Sequence, residues 1–201
     1  KLGQKFSEKN DIKNIYFVCA DIFDDRLENS TFDFVICNGV LHHTKNSFDA
    51  YSFCLKLLKK DGYILIGLYN SIGRIRTKFR GLLYKIFGKK YLMFFDPVLR
   101  KINNQSEKKI DAWIKDQYIH PVERSHSFDE ILYWFKKTKI KFINSYPSCD
   151  FFKNVKIENH LQTLFSQGVE ANFFERILSQ IQMIFTRPGS EGGLFFFLGK
   201  K

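Results

Sequence analysis

Residues 32–43 read "FDFVICNGVLHH", an apolar run followed by a polar tip that carries two histidines. Phe32, Phe34, Val35, Ile36 and Cys37 are nearly continuous, the pattern of a strand buried on both faces. Asn38 and Gly39 interrupt the run, so the strand is predicted to end there.

Upstream, "NIYFVCAD" (14–21) reads as a second short buried strand ending at Asp21. Downstream, "SFDAYSFCLKLLKK" (47–60) places Phe48, Tyr51, Leu55 and Leu58 on one helical stripe, Asp61-Gly62 ends that helix, and "YILIGLY" (63–69) is another apolar strand. Residues 1–10 look helical, giving the order helix, strand, strand, helix, strand. Helix-length segments between apolar strands argue for a parallel sheet with crossover helices, because parallel neighbours need a long return path. The link between the strands at 15–19 and 32–37 shows no clear helical periodicity, so any crossover helix there is short.

From Ser71 to Phe95 the texture changes. "SIGRIRTKFRGLLYKIFGKKYLMFF" contains Arg74, Arg76, Lys78, Arg80, Lys85, Lys89 and Lys90 and no acidic residue, in a chain of net charge +11. Beyond it, Ser127 and Glu130 have the spacing of a capping box for the helix "FDEILYWFKKTK". "IKFINSYP" reads as a strand and "GGLFFFLGKK" as the last one. Residues 170–186 read as a helix with Phe173, Phe174, Ile177, Ile181 and Ile184 inward.

With 44% hydrophobic and 26% charged residues among 201, the composition is that of an ordinary folded domain. No stretch approaches the roughly 18 uninterrupted apolar residues of a membrane span, and the start lacks a signal-peptide layout, so a cytoplasmic location is expected. Cys19, Cys37, Cys54 and Cys149 lack zinc-site spacing and disulfide density, and three of them read as buried free thiols. "KLGQKFSEKN" reads as the middle of an amphipathic helix with no start signal, so the sequence is expected to open inside a longer protein.

In an open α/β sheet ligands bind outside the carboxyl ends of the strands. Asp21, Asn38-Gly39 and Tyr69-Asn70 all stand at such ends, which predicts one small-molecule rim. The run "FDFVICNGVLHHTKN", followed by a helix, "LKKDG" and an apolar strand, resembles the middle and carboxyl part of class I S-adenosylmethionine-dependent methyltransferases. The resemblance covers residues 1 to about 70 well and the last two strands loosely. It implies an α/β fold: a Rossmann-like doubly wound sheet, mostly parallel with an antiparallel last strand, truncated at the N-terminus and interrupted by a helical insertion.

With the family come the donor, S-adenosylmethionine, and the roles of its rim. Asp21 is placed at the adenine amino group, Ile22 beside the ring, Asn38 and Gly39 under the ribose and methionine part, and Leu41 and His42 near the methyl. An exocyclic amine suits an anionic acceptor, and glycine lets backbone approach a ligand closely. Two features depart from the family. Its "LKPGG" turn is Leu58-Lys59-Lys60-Asp61-Gly62 here, which keeps the final glycine. The glycine-rich loop and the acidic residue for the ribose hydroxyls are expected upstream of Lys1, which would leave apolar strand edges unpaired, weak or absent donor binding, and a tendency to aggregate.

For catalysis the candidates are His43, Tyr118 and His120. Imidazole titrates near neutral pH and accepts a proton from a hydroxyl or amine, or else bonds backbone at the strand end. "DQYIHPVERSH" (116–126) reads as an acceptor-binding polar wall or as plain loop chemistry. His120, Glu123 and His126 have a metal-like spacing, but Pro121 disfavours the helix that would align them, and no metal is expected.

The division expected along the chain is 1–70 partial core, 71–126 basic helical insertion and acceptor cover, and 127–201 the remainder of the core. In the insertion Ile72, Ile75, Phe79, Leu82, Leu83 and Ile86 recur at helical spacing among cations. A solvated helix over the site is the plain reading; peripheral membrane contact through 71–95 and reception of an acidic substrate are the functional ones. Nucleic acid is disfavoured, since the aromatics are mostly Phe in apolar runs with no base-reading motif. The function expected is methyl transfer to a small-molecule acceptor; the competing class is a non-catalytic methyltransferase-like fold that docks on membrane or nucleic acid. A dehydrogenase lacks support without a "GxGxxG" loop.

Overall fold

The protein is described by a computed structural model covering residues 2–152, 164–186 and 192–201. Lys1 lies outside the described residues, and helix α1 is Leu2–Lys9. Four strands, β1 (Phe32–Asn38), β2 (Leu58–Tyr69), β3 (Lys141–Tyr146) and β4 (Leu194–Lys200), form one sheet in the order β1-β2-β4-β3. β1 and β2 are parallel, with Val35 opposite Ile64 and Cys37 opposite Ile66. β4 runs antiparallel to both of its neighbours, so three strands point one way and the last in sequence returns between two of them. This is the α/β sheet with an antiparallel last strand that the family resemblance implied.

The sheet is held by alternation in its two central strands. Ile64, Ile66 and Leu68 of β2 and Phe195 and Phe197 of β4 are buried. Helix α2 (Ser47–Leu57) makes the crossover from β1 to β2 and is capped by Asn46, whose side chain accepts from the amides of Phe48 and Asp49. Helix α7 (Phe128–Lys137) starts at Ser127, whose hydroxyl accepts from the Glu130 amide at 3.1 Å. Its Phe128 ring lies 5.2 Å from Phe195 and 5.3 Å from Phe197, and Trp134 stacks on Tyr51 of α2 at 5.5 Å.

Between β2 and α7, helices α3 (Ile75–Phe87), α4 (Lys89–Phe95), α5 (Pro97–Ile102) and α6 (Glu107–Tyr118) form a lobe around Leu92, Leu99, Ile110 and Ile114. Asp96 fixes it. This buried carboxylate accepts from the Val98 and Leu99 amides, which starts α5, and from Trp113 Nε1 at 3.1 Å and the Tyr118 hydroxyl at 2.6 Å, which ties α5 to α6. No helix among the described residues is long and apolar enough to cross a membrane.

Four local expectations are corrected. Residues 14–21 form no strand, and Ile15, Tyr16, Phe17 and Val18 are exposed; β1 is an edge strand with no strand beyond it among the described residues, and an isolated strand has no ladder to join. For the same reason β1 is buried on one face only: Cys37 packs into the core with Val35 half-buried against it, while Phe32, Phe34 and Ile36 are exposed. Helix α2 ends at Leu57 rather than at Asp61-Gly62, because residues 58–62 already belong to β2. Asp61 there adopts φ +64°, and backbone bonds with Lys201 on Asp61 and Gly62 pin the irregularity.

The fourth correction concerns helix α8 (Phe173–Phe185). Its buried face is Ser179, Gln180 and Met183; Phe173, Phe174 and Ile181 are exposed, and Ile177 and Ile184 only half-buried. Gln180 explains this orientation, since its Oε1 accepts from Asn70 Nδ2 at 2.9 Å and from the Phe128 amide at 3.1 Å. A buried polar network of this kind leaves unsatisfied groups behind if the helix rolls over.

Candidate active site

The carboxyl ends of β1 and β2 lie side by side, as parallel pairing requires. At the end of β1, Asn38 is exposed and Gly39 adopts φ +70°, a left-handed conformation that favours glycine. Its amide donates to the Gly67 carbonyl at 3.0 Å. A Cβ built on Gly39 would meet nothing within 4 Å, so open space lies directly before the backbone. Gly67 on β2 serves the same tip: a Cβ there would come 2.6 Å from Asn38 Oδ1 and 2.8 Å from the Phe196 ring. The sequence reading passed over Gly67, although a lone glycine inside an apolar strand signals close approach.

Asp21 is exposed on its loop, where Oδ1 accepts from the Phe23 amide at 2.9 Å and the rest of the carboxylate faces solvent. Ile22, half-buried, packs against the core. Leu41 and His42 lie deeper, both fully buried in the short 3-10 turn Leu41–His43.

Four imidazoles gather nearby. The His42 ring lies 4.1 Å from Tyr69 and 4.2 Å from His43, and His43 lies 3.9 Å from His120. His43 and His120 both direct Nδ1 at the Val122 carbonyl, at 3.0 and 2.5 Å. A carbonyl only accepts, so His43 donates from Nδ1, which leaves its Nε2 with the lone pair in the neutral ring, whereas His120 Nδ1 also lies 3.3 Å from the Val122 amide, which can only donate to it. Neither nitrogen of His42 has a hydrogen-bond partner. Burial, then the positive surroundings of His43 and Arg74, push its pKa down to about 3, so His42 is neutral and a poor proton acceptor near pH 7. The fourth ring, His126, is buried farther along, its Nε2 3.2 Å from Ser47 Oγ and its Nδ1 2.9 Å from Glu130.

Arg74 organises the far wall. Its fully buried guanidinium lies 3.7 Å over the Tyr69 ring, pairs with both oxygens of Glu123, and donates to Gln117 and to the Gly192 carbonyl. Gln117 in turn donates to the Tyr69 hydroxyl at 2.8 Å. One arginine therefore joins β2, α6, the 119–126 loop and the approach to β4. It lies in the basic segment, yet its charge is spent internally. Sequence reading counted it among a run of cations, and no local signal distinguishes it.

Beside this clamp a cavity of about 230 Å³ is lined by Thr77, Lys78, Lys85, Tyr118 and His120 among others. Two of the proposed catalytic residues therefore share one cavity, and the His120 to His43 stack connects it with the strand tip. The Tyr118 hydroxyl is engaged by Asp96, and burial together with that carboxylate raises its pKa, so it keeps its proton. Asn70, expected on the rim, is instead wholly buried: its Oδ1 accepts from the Ile72 and Gly73 amides and its Nδ2 donates to Gln180 and the His126 carbonyl. Among the described residues no three His, Cys, Asp or Glu side chains converge to hold a metal.

Residues 2–66 match the family model of a methyltransferase domain. No curated protein matches the chain. Among solved structures, PKMT2 from Rickettsia typhi superimposes with a TM-score of 0.62 at 14% identity, over 98% of this chain and 40% of that one. The same protein in complex with AdoHcy gives 0.62 and 14%, over 98% and 41%. The chain thus spans about two fifths of the length of these structures. The resemblance to class I S-adenosylmethionine-dependent methyltransferases holds, in sequence over residues 2–66 and in fold across the sheet.

Proposed function

We propose that the tip of β1 is the donor rim of an S-adenosylmethionine-dependent methyltransferase whose acceptor is a small molecule held against the 116–126 wall. The observation that carries this reading is Gly39, a left-handed glycine at the carboxyl end of a parallel strand with open space before it. The AdoHcy complex of PKMT2 supports the choice of ligand class. The residues present fit the group. Asp21 offers a solvent-facing carboxylate to an exocyclic amine, Ile22 an apolar surface to the ring, and Asn38 and Gly39 a polar tip and bare backbone to the ribose and methionine part.

Leu41 and His42, fully buried, act from behind the rim by fixing its shape. When bound, the donor supplies a methyl group on a positively charged sulfonium, which is already activated. The protein's task is then alignment, worth up to roughly 7 to 11 kcal/mol of the barrier when the geometry is in line. An acceptor hydroxyl or amine loses its proton to His43 Nε2, or to His120 in the tautomer whose Nε2 carries the lone pair, and Tyr118 shapes the cavity wall.

Calorimetric titration of S-adenosylmethionine into the full-length protein tests the reading. Asp21→Ala is expected to weaken binding by about 1 to 3 kcal/mol through loss of a charged hydrogen-bond partner. No binding by the unmutated protein would remove the enzyme reading and leave the fold.

A further inference from the structure

Helix α3 is turned inside out. Its buried positions are polar, Thr77 and Arg80, while Ile75, Phe79, Leu82 and Ile86 are 50 to 65% exposed. These four recur at intervals of four, three and four residues and so form one narrow stripe along the helix. Phe87 extends it: its ring contacts Tyr91, Tyr91 stacks on Phe95, and Phe95 meets Phe94, with Phe94 and Phe95 69 and 52% exposed. An apolar strip therefore continues from α3 across α4, much more than the scattered exposed side chains that need no explanation.

Charge decides what covers it. Lys78 and Lys85 flank the stripe on one margin of the helix, Lys90 is exposed at the start of α4, and no Asp or Glu occurs between Ser71 and Phe95. A second copy of the same face would bring these cations against each other. All four side chains stand at least half exposed, which suits insertion into a fluid.

We infer that α3 and α4 form a peripheral docking face for an anionic lipid surface, with Ile75, Phe79, Leu82 and Ile86 entering the acyl boundary and Lys78 and Lys85 lying at the phosphates. The inference stands independently of the methyltransferase reading. Since Lys78, Leu82 and Lys85 also line the cavity beside His120, a docked α3 turns the mouth of that cavity toward lipid.

The test is sedimentation of the full-length protein with vesicles of equal parts phosphatidylcholine and phosphatidylglycerol, beside vesicles of phosphatidylcholine alone. The protein should sediment with the anionic vesicles, and added salt should release it. Lys78→Gln with Lys85→Gln should weaken binding about thirtyfold, near fivefold per charge. Phe79→Ser with Ile86→Ser should abolish it while leaving the melting temperature near the parent's, since both side chains are exposed.

Failure to bind anionic vesicles overturns the proposal. So does equal binding to both vesicle types, or binding unaffected by the serine pair. A dimer that the serine pair disperses, in a protein that ignores vesicles, would assign the face to a second copy instead.

Discussion

Helices α7 and α3 carry apolar stripes of similar spacing and turn them in opposite directions. α7 buries Phe128, Ile131, Trp134 and Phe135 against β4 and α2; α3 exposes Ile75, Phe79, Leu82 and Ile86. The difference lies in what each helix faces. Opposite α7 stand Phe195, Phe197 and Tyr51, apolar groups that reward burial of more of the same. α3 starts at Arg74, which is held by Glu123 and Gln117, and its inner side sets the Arg80 guanidinium 3.5 Å from the Tyr118 hydroxyl that Asp96 engages, a polar setting. Periodicity therefore establishes that a stripe exists, and the polar anchors around it decide which way it points.

That contrast can be broken by mutation. The largest effect is expected in α7: Trp134→Ala should lower the unfolding free energy by about 3 to 5 kcal/mol in urea titrations, because it empties a packed aromatic site. A loss under about 1 kcal/mol would contradict the burial assigned to it. Arg74→Met should cost about 3 kcal/mol by the same assay, since it strands Glu123 and removes the donors that hold Gln117 and Gly192. If Arg74→Met were neutral, the clamp would not be what orients α3.

A smaller effect appears with pH. The folded chain refuses a proton on His42 until about pH 3, whereas the unfolded chain accepts one below about 6.5. Stability is thus unaffected by this group above 6.5, and falls as pH drops from there toward 3, by about 2 kcal/mol at about pH 5. His42→Phe should flatten that part of the stability profile, and an unchanged slope would show that His42 is not the group responsible. The smallest effect belongs to α3, where Phe79→Ala should shift unfolding by less than about 0.5 kcal/mol.

Much of the fold was legible because its signals are local. The apolar runs of β2 and β4, the Ser127 cap and the glycine after Asn38 each announce themselves within a few residues. The missed features depend on neighbours distant in sequence. Residues 14–21 have strand composition, but a strand also needs a partner. Phe173 and Phe174 look like core, yet Gln180 holds the opposite face of α8 inward through Asn70, 110 positions away in the chain.

The site divides the same way. Asn38, Gly39 and His43 could be named from one stretch, and the chain brings His120 to them across the 119–126 loop. Arg74 had no local mark, since an arginine in a basic run acquires meaning only when the elements meet; Glu123 stood out in its polar stretch without any sign of its arginine partner, and Gly67 carried only the mark of a lone strand glycine. Asn70 looked like a ligand-facing tip and is a buried junction, because its four hydrogen-bonding positions are taken by Ile72, Gly73, Gln180 and His126.

The central claim is the place of the donor, and hydrogen exchange with and without S-adenosylmethionine tests it most directly. Slowed exchange in peptides spanning 19–23 and 38–43, with 141–146 unchanged, is the predicted result. Protection confined to other segments, or none at saturating donor, would contradict the assignment of the β1 tip.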